Sequence, residues 1–133
     1  MFGTNDIKSI EPKDFDLYLR RVVAQTINDG TIPILSTFPT QPGLEDKSIL
    51  YNQITVKIAM DYDVPLINLW LALKPLPHQG IDPENNTHMT KPADGHVAYF
   101  TVDDLQAGYN VRNLLTLQTL EAVLKKVDPA MSG

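Results

Sequence analysis

The sequence predicts an α/β protein in which helices cover both faces of a parallel sheet. Segments with apolar residues three and four positions apart alternate along the chain with short, nearly continuous apolar runs. Such runs suit strands buried on both faces, which is the setting of a parallel sheet between helices. The 133 residues suit one domain, and 43 % hydrophobic with 20 % charged residues is ordinary for a globular chain.

The first residues, Met1-Phe2-Gly3-Thr4-Asn5-Asp6, read as an apolar stub running into a turn, as if a strand had been cut just before its end. A truncated N-terminus is therefore expected. From Glu11 the pattern turns helical: Pro12 suits a first turn, Asp14 and Asp16 favour the positive helix end, and Phe15, Leu19, Val22, Val23 and Ile27 share a face. Asn28-Asp29-Gly30 ends that helix. Thr31 to Thr37 is a β-branched apolar run that predicts a strand, and Phe38 to Asp46, with Pro39, Pro42 and Gly43, predicts a loop. A second helix is expected over Ser48 to Tyr62, with Leu50, Ile54 and Ile58 inward, and a second strand over Pro65 to Trp70. Leu71 to Leu76 suits a short helical turn. His78 to Thr101 has no clear period, and irregular segments of that length in a small domain are usually functional or disordered. The last helix is expected from about Asp103 to Val127, carrying Leu105, Leu115, Leu120, Val123 and Leu124, with Lys125-Lys126 at its negative end.

Composition narrows the partners. A net charge of -5, with no basic cluster longer than Lys125-Lys126, argues against nucleic acid. The absence of cysteine excludes disulfides, thiolate metal sites and a cysteine nucleophile, and leaves the compartment open. No apolar run approaches the roughly 20 residues of a membrane span. His78, His88 and His96, with Asp82, match no compact metal-ligand spacing, so no metal or other cofactor is expected.

Ligands of open parallel sheets sit beyond the carboxyl ends of the strands. Here those places are Gly3 to Asp6, Thr37-Phe38-Pro39, and the long segment holding Asp82 and His88. Gly3-Thr4-Asn5-Asp6 followed by a helix and a strand resembles the G-x-N-D block of the SGNH, or GDSL-like, serine hydrolases. Gly80-Ile81-Asp82-Pro83-Glu84-Asn85-Asn86-Thr87-His88-Met89-Thr90, shortly before the last helix, resembles that family's final D-x-x-H block. The resemblance covers essentially the whole chain. It implies the C-terminal part of a flavodoxin-like, three-layer α/β/α domain that acts on a carboxylic ester, an acetylated glycan or a lipid, and whose remaining N-terminal segment is a partner to this one.

Under the resemblance, Asn5 donates its side-chain amide to the oxyanion, Gly3 allows the close backbone approach, Asp6 is structural, and His88 is the general base. An amide suits the first role because it brings two N–H donors and no charge. Imidazole suits the last because its unperturbed pKa lies near about 6.5. The family's aspartate stands three residues before the histidine, where this chain has Asn85. Asp82 is the preferred acidic partner, reaching His88 if Pro83 to Asn86 forms a small turn; Glu84 and a neutral Asn85 are the alternatives. The Gly-Asp-Ser block of the family has no counterpart, and Ser9, Ser36, Ser48 and Ser132 lie in no nucleophile-turn setting. The expectation is a hydrolase fragment with oxyanion donor and base but no nucleophile. A non-catalytic binding or interaction module built on the same fold is the alternative, favoured by Asn85.

Overall fold

A computed structural model describes residues 3–128. The chain forms two compact units, Met1–Leu71 and Ala72–Gly133. It is a mixed α/β protein, mostly helical, with a short parallel sheet of two strands.

The first unit opens with a 3-10 turn, Asp6–Lys8, followed by α1 (Pro12–Asn28), β1 (Leu35–Ser36), α2 (Glu45–Asp61) and β2 (Leu66–Ile67). Pro12 starts α1 where a missing N–H costs nothing. Phe15, Leu19 and Val23 are its buried face, and Val22 and Ile27, expected inward, are exposed. α2 begins at Glu45, earlier than the apolar spacing alone suggests. The Glu45 carboxylate accepts the Gly43 N–H at 2.8 Å, and this bond holds its carboxyl below the usual carboxylate range.

α2 joins the strands as a βαβ crossover, with Leu35 opposite Leu66 and Ser36 opposite Ile67 in parallel register. The expected strands over Thr31 to Thr37 and Pro65 to Trp70 shrink to these two pairs. Pro33 and Pro65 have no N–H to give the ladder, so pairing starts only where Leu35 N–H meets the Pro65 carbonyl. It ends where Thr37 turns to Asn68 and Phe38 to Asn52. Asn68 Oδ1 also accepts the Leu71 N–H, capping α3 (Leu69–Leu73).

The core of this unit is Ile7, Phe15, Leu19, Val23, Leu35, Phe38, Tyr51, Ile58 and Ala59, with Phe15 and Tyr51 stacked at 4.5 Å. The inward face of α2 is a correction to the spacing argument. Ser48, Tyr51, Asn52, Thr55, Ile58 and Ala59 are buried, while Leu50 is 42 % exposed. Half of that face is polar: Ser48 and Asn52 serve as partners for the backbone after β1, and Thr55 donates to the Tyr51 carbonyl within the helix.

In the second unit a 3-10 turn, Pro77–Gly80, leads into a narrow antiparallel turn closed by the Ile81–Met89 bridge. An irregular stretch and a second 3-10 turn, Asp104–Gln106, then precede α4 (Gly108–Val127). The last helix thus begins later than Asp103, because Ala107 is extended and breaks the helical run. Leu73, Ile81, Met89 and Ala107 are the buried apolar residues of this unit. Asn110, fully buried, donates its amide to the His96 and Tyr99 carbonyls at 3.0 and 2.8 Å, and Asn113 donates to Val97 at 2.8 Å. The expected strand end at Met1-Phe2 lies outside the described residues. No helix among the described residues is long and apolar enough to cross a membrane.

Candidate functional site

The turn at Gly3 is held from several directions. Gly3 has φ of +98°, and a Cβ there would stand 2.5 Å from Phe38 Cε1, so both conformation and space require glycine. Its N–H donates to Asp6 Oδ2 at 2.8 Å, and its carbonyl accepts the Ile7 N–H at 3.0 Å. The Gln41 side-chain amide donates to the Thr4 carbonyl. Phe38, the residue against Gly3, is pinned in turn: its N–H donates to Asn52 Oδ1 at 2.9 Å and its carbonyl accepts Asn52 Nδ2 at 2.8 Å. Gln41 N–H donates to Ser48 Oγ at 3.1 Å, and Trp70 Nε1 donates to Thr40 Oγ1 at 2.9 Å. The Gly3 turn and the segment following β1 are therefore packed together, with Asp6 in a structural role. Asn5 is exposed within this braced turn, and its side-chain amide is not committed to capping the 3-10 helix that follows.

In the second unit, Asp82 and His88 face each other across the Ile81–Met89 bridge. Asp82 N–H donates to the His88 carbonyl at 2.9 Å, and the turn between them is closed by Asn85 N–H to the Asp82 carbonyl and His88 N–H to the Asn85 carbonyl. Directly opposed residues of an antiparallel pair project to the same side. Both side chains indeed line one cavity of about 450 Å³ together with Met89, Thr90, Lys91 and Tyr109. Asp82 Oδ1 accepts the Glu84 N–H at 2.9 Å, and Asn85 Oδ1 accepts the Thr87 N–H at 3.2 Å. Among the described residues no hydrogen bond or ion pair joins the Asp82 carboxylate to the His88 ring. The Tyr109 hydroxyl stands 3.4 Å from His88 Nδ1, in an exposed contact.

Tyr109 comes to that place through Thr90. The Thr90 carbonyl accepts the Tyr109 N–H at 3.1 Å and Thr90 Oγ1 accepts the Gly108 N–H at 2.8 Å, so one residue satisfies two free donors of the α4 N-terminus. Thr90 N–H in turn donates to the Gly80 carbonyl at 2.9 Å. Gly80 and Gly108 meet backbone to backbone: a Cβ on Gly108 would lie 2.3 Å from the Gly80 carbonyl oxygen. The Tyr109 ring is flanked by two cations, Lys91 Nζ at 5.7 Å and the Arg112 guanidinium at 4.8 Å from its centroid, both within cation–π range.

The other histidines stand elsewhere in the same unit. His78 and Gln79 have left-handed φ of 50° and 52°, and His96 lies 5.0 Å from the Tyr99 ring. Among the described residues no three His, Asp or Glu side chains gather as a metal site. Ser36 Oγ donates to the Thr37 carbonyl and Ser48 Oγ to that of Leu44, so both hydroxyls are in structural use; Ser132 lies outside the described residues. A second cavity, about 430 Å³, runs along α2 between Asn52, Val56, Met60 and Trp70. Lys57 and Asp61 also line it, and it holds no imidazole.

Sequence reasoning passed over Lys91, Tyr109 and Arg112, and quoted Thr90 within the histidine block without giving it a role. The usable signal was Gly108, a poor residue for the interior of a helix assumed to start at Asp103 and a good marker for a later start. Comparison with protein-family models, curated proteins and solved structures gives no match.

Proposed function

We propose that the chain carries the general base and an oxyanion donor of a serine ester hydrolase of the SGNH type, in a three-layer α/β/α domain to which β1, α2 and β2 contribute one βαβ unit. The observation that carries the reading is the cavity in which His88 and Asp82 lie opposite each other beside an open space large enough for a small acyl group. The braced turn at Gly3 adds support, because it holds the backbone still while leaving the Asn5 side chain exposed.

In this reading His88 takes the proton of a serine hydroxyl as its oxygen attacks the ester carbonyl, then returns it to the departing alkoxide. Asp82, across the turn, favours the imidazolium that forms in between. Asn5 donates to the oxyanion and gains strength as charge develops there. The serine belongs to a Gly-Asp-Ser block supplied by a segment outside these residues. The substrate is a carboxylic ester, an acetylated glycan or a lipid.

The 133-residue chain alone is expected to leave p-nitrophenyl acetate unhydrolysed above background. The coding region extended upstream to include a Gly-Asp-Ser block is expected to give hydrolysis that His88→Ala abolishes and Asn5→Ala lowers by roughly 10² to 10³ in kcat. An upstream region without such a block, or turnover by the short chain that survives His88→Ala, overturns the proposal. One observation favours a binding module instead: Asn85, at the family's acid position, spends its side chain on the turn. That reading expects no hydrolysis from the extended protein.

A further inference from the structure

We infer that Tyr109 is the positioning residue for His88, its hydroxyl oxygen accepting the Nδ1 proton and so leaving the Nε2 lone pair free toward the cavity. The inference deepens the hydrolase reading and rests on it for its catalytic meaning.

Three features lead there. The Tyr109 hydroxyl, at 3.4 Å, is the only group among the described residues within hydrogen-bonding reach of a His88 ring nitrogen. The distance is long for a formed bond, as resting contacts of catalytic bases often are before substrate closes the site. The expected alternative, Asp82, already accepts the Glu84 N–H and makes no bond to the ring.

The contact itself is exposed, but the backbones on both sides of it are held in place. The His88 backbone is fixed by its carbonyl bond to Asp82 and its N–H bond to Asn85, next to the Ile81–Met89 bridge. Tyr109 is fixed at its N–H by Thr90 and at its ring by Lys91 and Arg112. Thr90 is two residues from His88 and bonds the first turn of α4, so a single short segment sets both ends of the contact.

Which partner donates decides what the imidazole can do. A hydroxyl donating to Nδ1 would place the ring proton on Nε2 and remove the base; a hydroxyl accepting from Nδ1–H leaves Nε2 as the acceptor. General-base chemistry at Nε2 requires the second arrangement. The neutral acceptor also explains how the ring can be oriented although Asn85 replaces the family's acid.

The test is the His88 tautomer, read from the ring ¹⁵N shifts of the full chain at about pH 8.5, well above the unperturbed histidine pKa of about 6.5. The wild-type protein is expected to show mainly Nδ1–H, and Tyr109→Phe to revert to the Nε2–H form that free histidine favours. Asp82→Asn is expected to leave the wild-type pattern in place. A wild-type ring already in the Nε2–H form overturns the inference and needs no variant. A pattern unmoved in Tyr109→Phe, or moved by Asp82→Asn instead, overturns it as well. None of these readings depends on turnover: an Nδ1–H tautomer lost in Tyr109→Phe, in an extended protein that hydrolyses nothing, would remove the hydrolase reading and leave the Tyr109 contact standing.

Discussion

Single residues decide whether the two candidate surfaces keep their shape. Asn52 serves both the N–H and the carbonyl of Phe38, which in turn is the wall against Gly3. Asn52→Ala leaves two buried backbone groups unpaired, at roughly 1–3 kcal/mol each. A stability loss of about 2 kcal/mol or more is expected by urea unfolding; a loss under about 0.5 kcal/mol would mean that water replaces the amide. Gly108→Ala tests the other unit. Its added methyl would meet the Gly80 carbonyl at 2.3 Å, and backbone cannot swing aside as a side chain can. The expected cost is about 1–3 kcal/mol, the usual range for overpacking, seen as a lower thermal midpoint. At this scale the sequence revealed what local chemistry announces. The turn over Pro83 to Asn86 is present and brings Asp82 and His88 to one cavity. Tyr109 could not be read, because its distance from His88 depends on a glycine–glycine crossing and a threonine cap rather than on any spacing in the chain.

Among the elements, α1 and α2 are tied on their outer side by Arg20, which bonds Asp16 at 2.9 Å within α1 and Asp61 at 2.8 Å on α2. Lys57 adds a second cation at 3.0 Å from Asp61. The hydrogen bonds from Lys57 and then Arg20 hold the Asp61 carboxyl below its ordinary value. A lowered folded-state pKa means that the unfolded chain binds the proton first as pH falls. The contribution of Asp61 is therefore complete above the unfolded carboxyl value of about 3.9 and fades as pH drops through the folded one. The difference in melting temperature between wild type and Asp61→Asn is expected to be full at about pH 6 and to shrink progressively as pH falls below about 4. A gap unchanged across that range would show that the pair is not formed in solution. Both helices were legible from three- and four-residue spacing and their end signals. The inward face of α2 was not, since periodicity scores apolar residues only, and this helix turns Ser48, Asn52 and Thr55 inward to serve backbone. The strands were legible as apolar runs, but their paired length is set by two prolines and by side chains from other elements.

Over the molecule as a whole, polar and apolar exposure are unevenly shared. α4 leaves Leu117, Leu120, Leu124 and Val127 exposed, at spacings of three, four and three residues that make one stripe along the helix. A stripe of that kind lowers solubility. Leu120→Glu with Leu124→Glu is expected to raise the concentration at which light scattering begins; an unchanged onset would mean that the stripe is already covered. The same face of the helix, nearer its start, has a different consequence. Asn110 and Asn113 stand one turn apart and hold the carbonyls of His96, Val97 and Tyr99, so a stretch without regular partners borrows its hydrogen bonds from helical side chains. Unwinding the start of α4 strands those carbonyls, and pulling the stretch away strands two amides, one of them buried. Neither can open cheaply by itself, and residues 96–99 are bound to melt with the helix as one cooperative unit rather than fray from it as a loop.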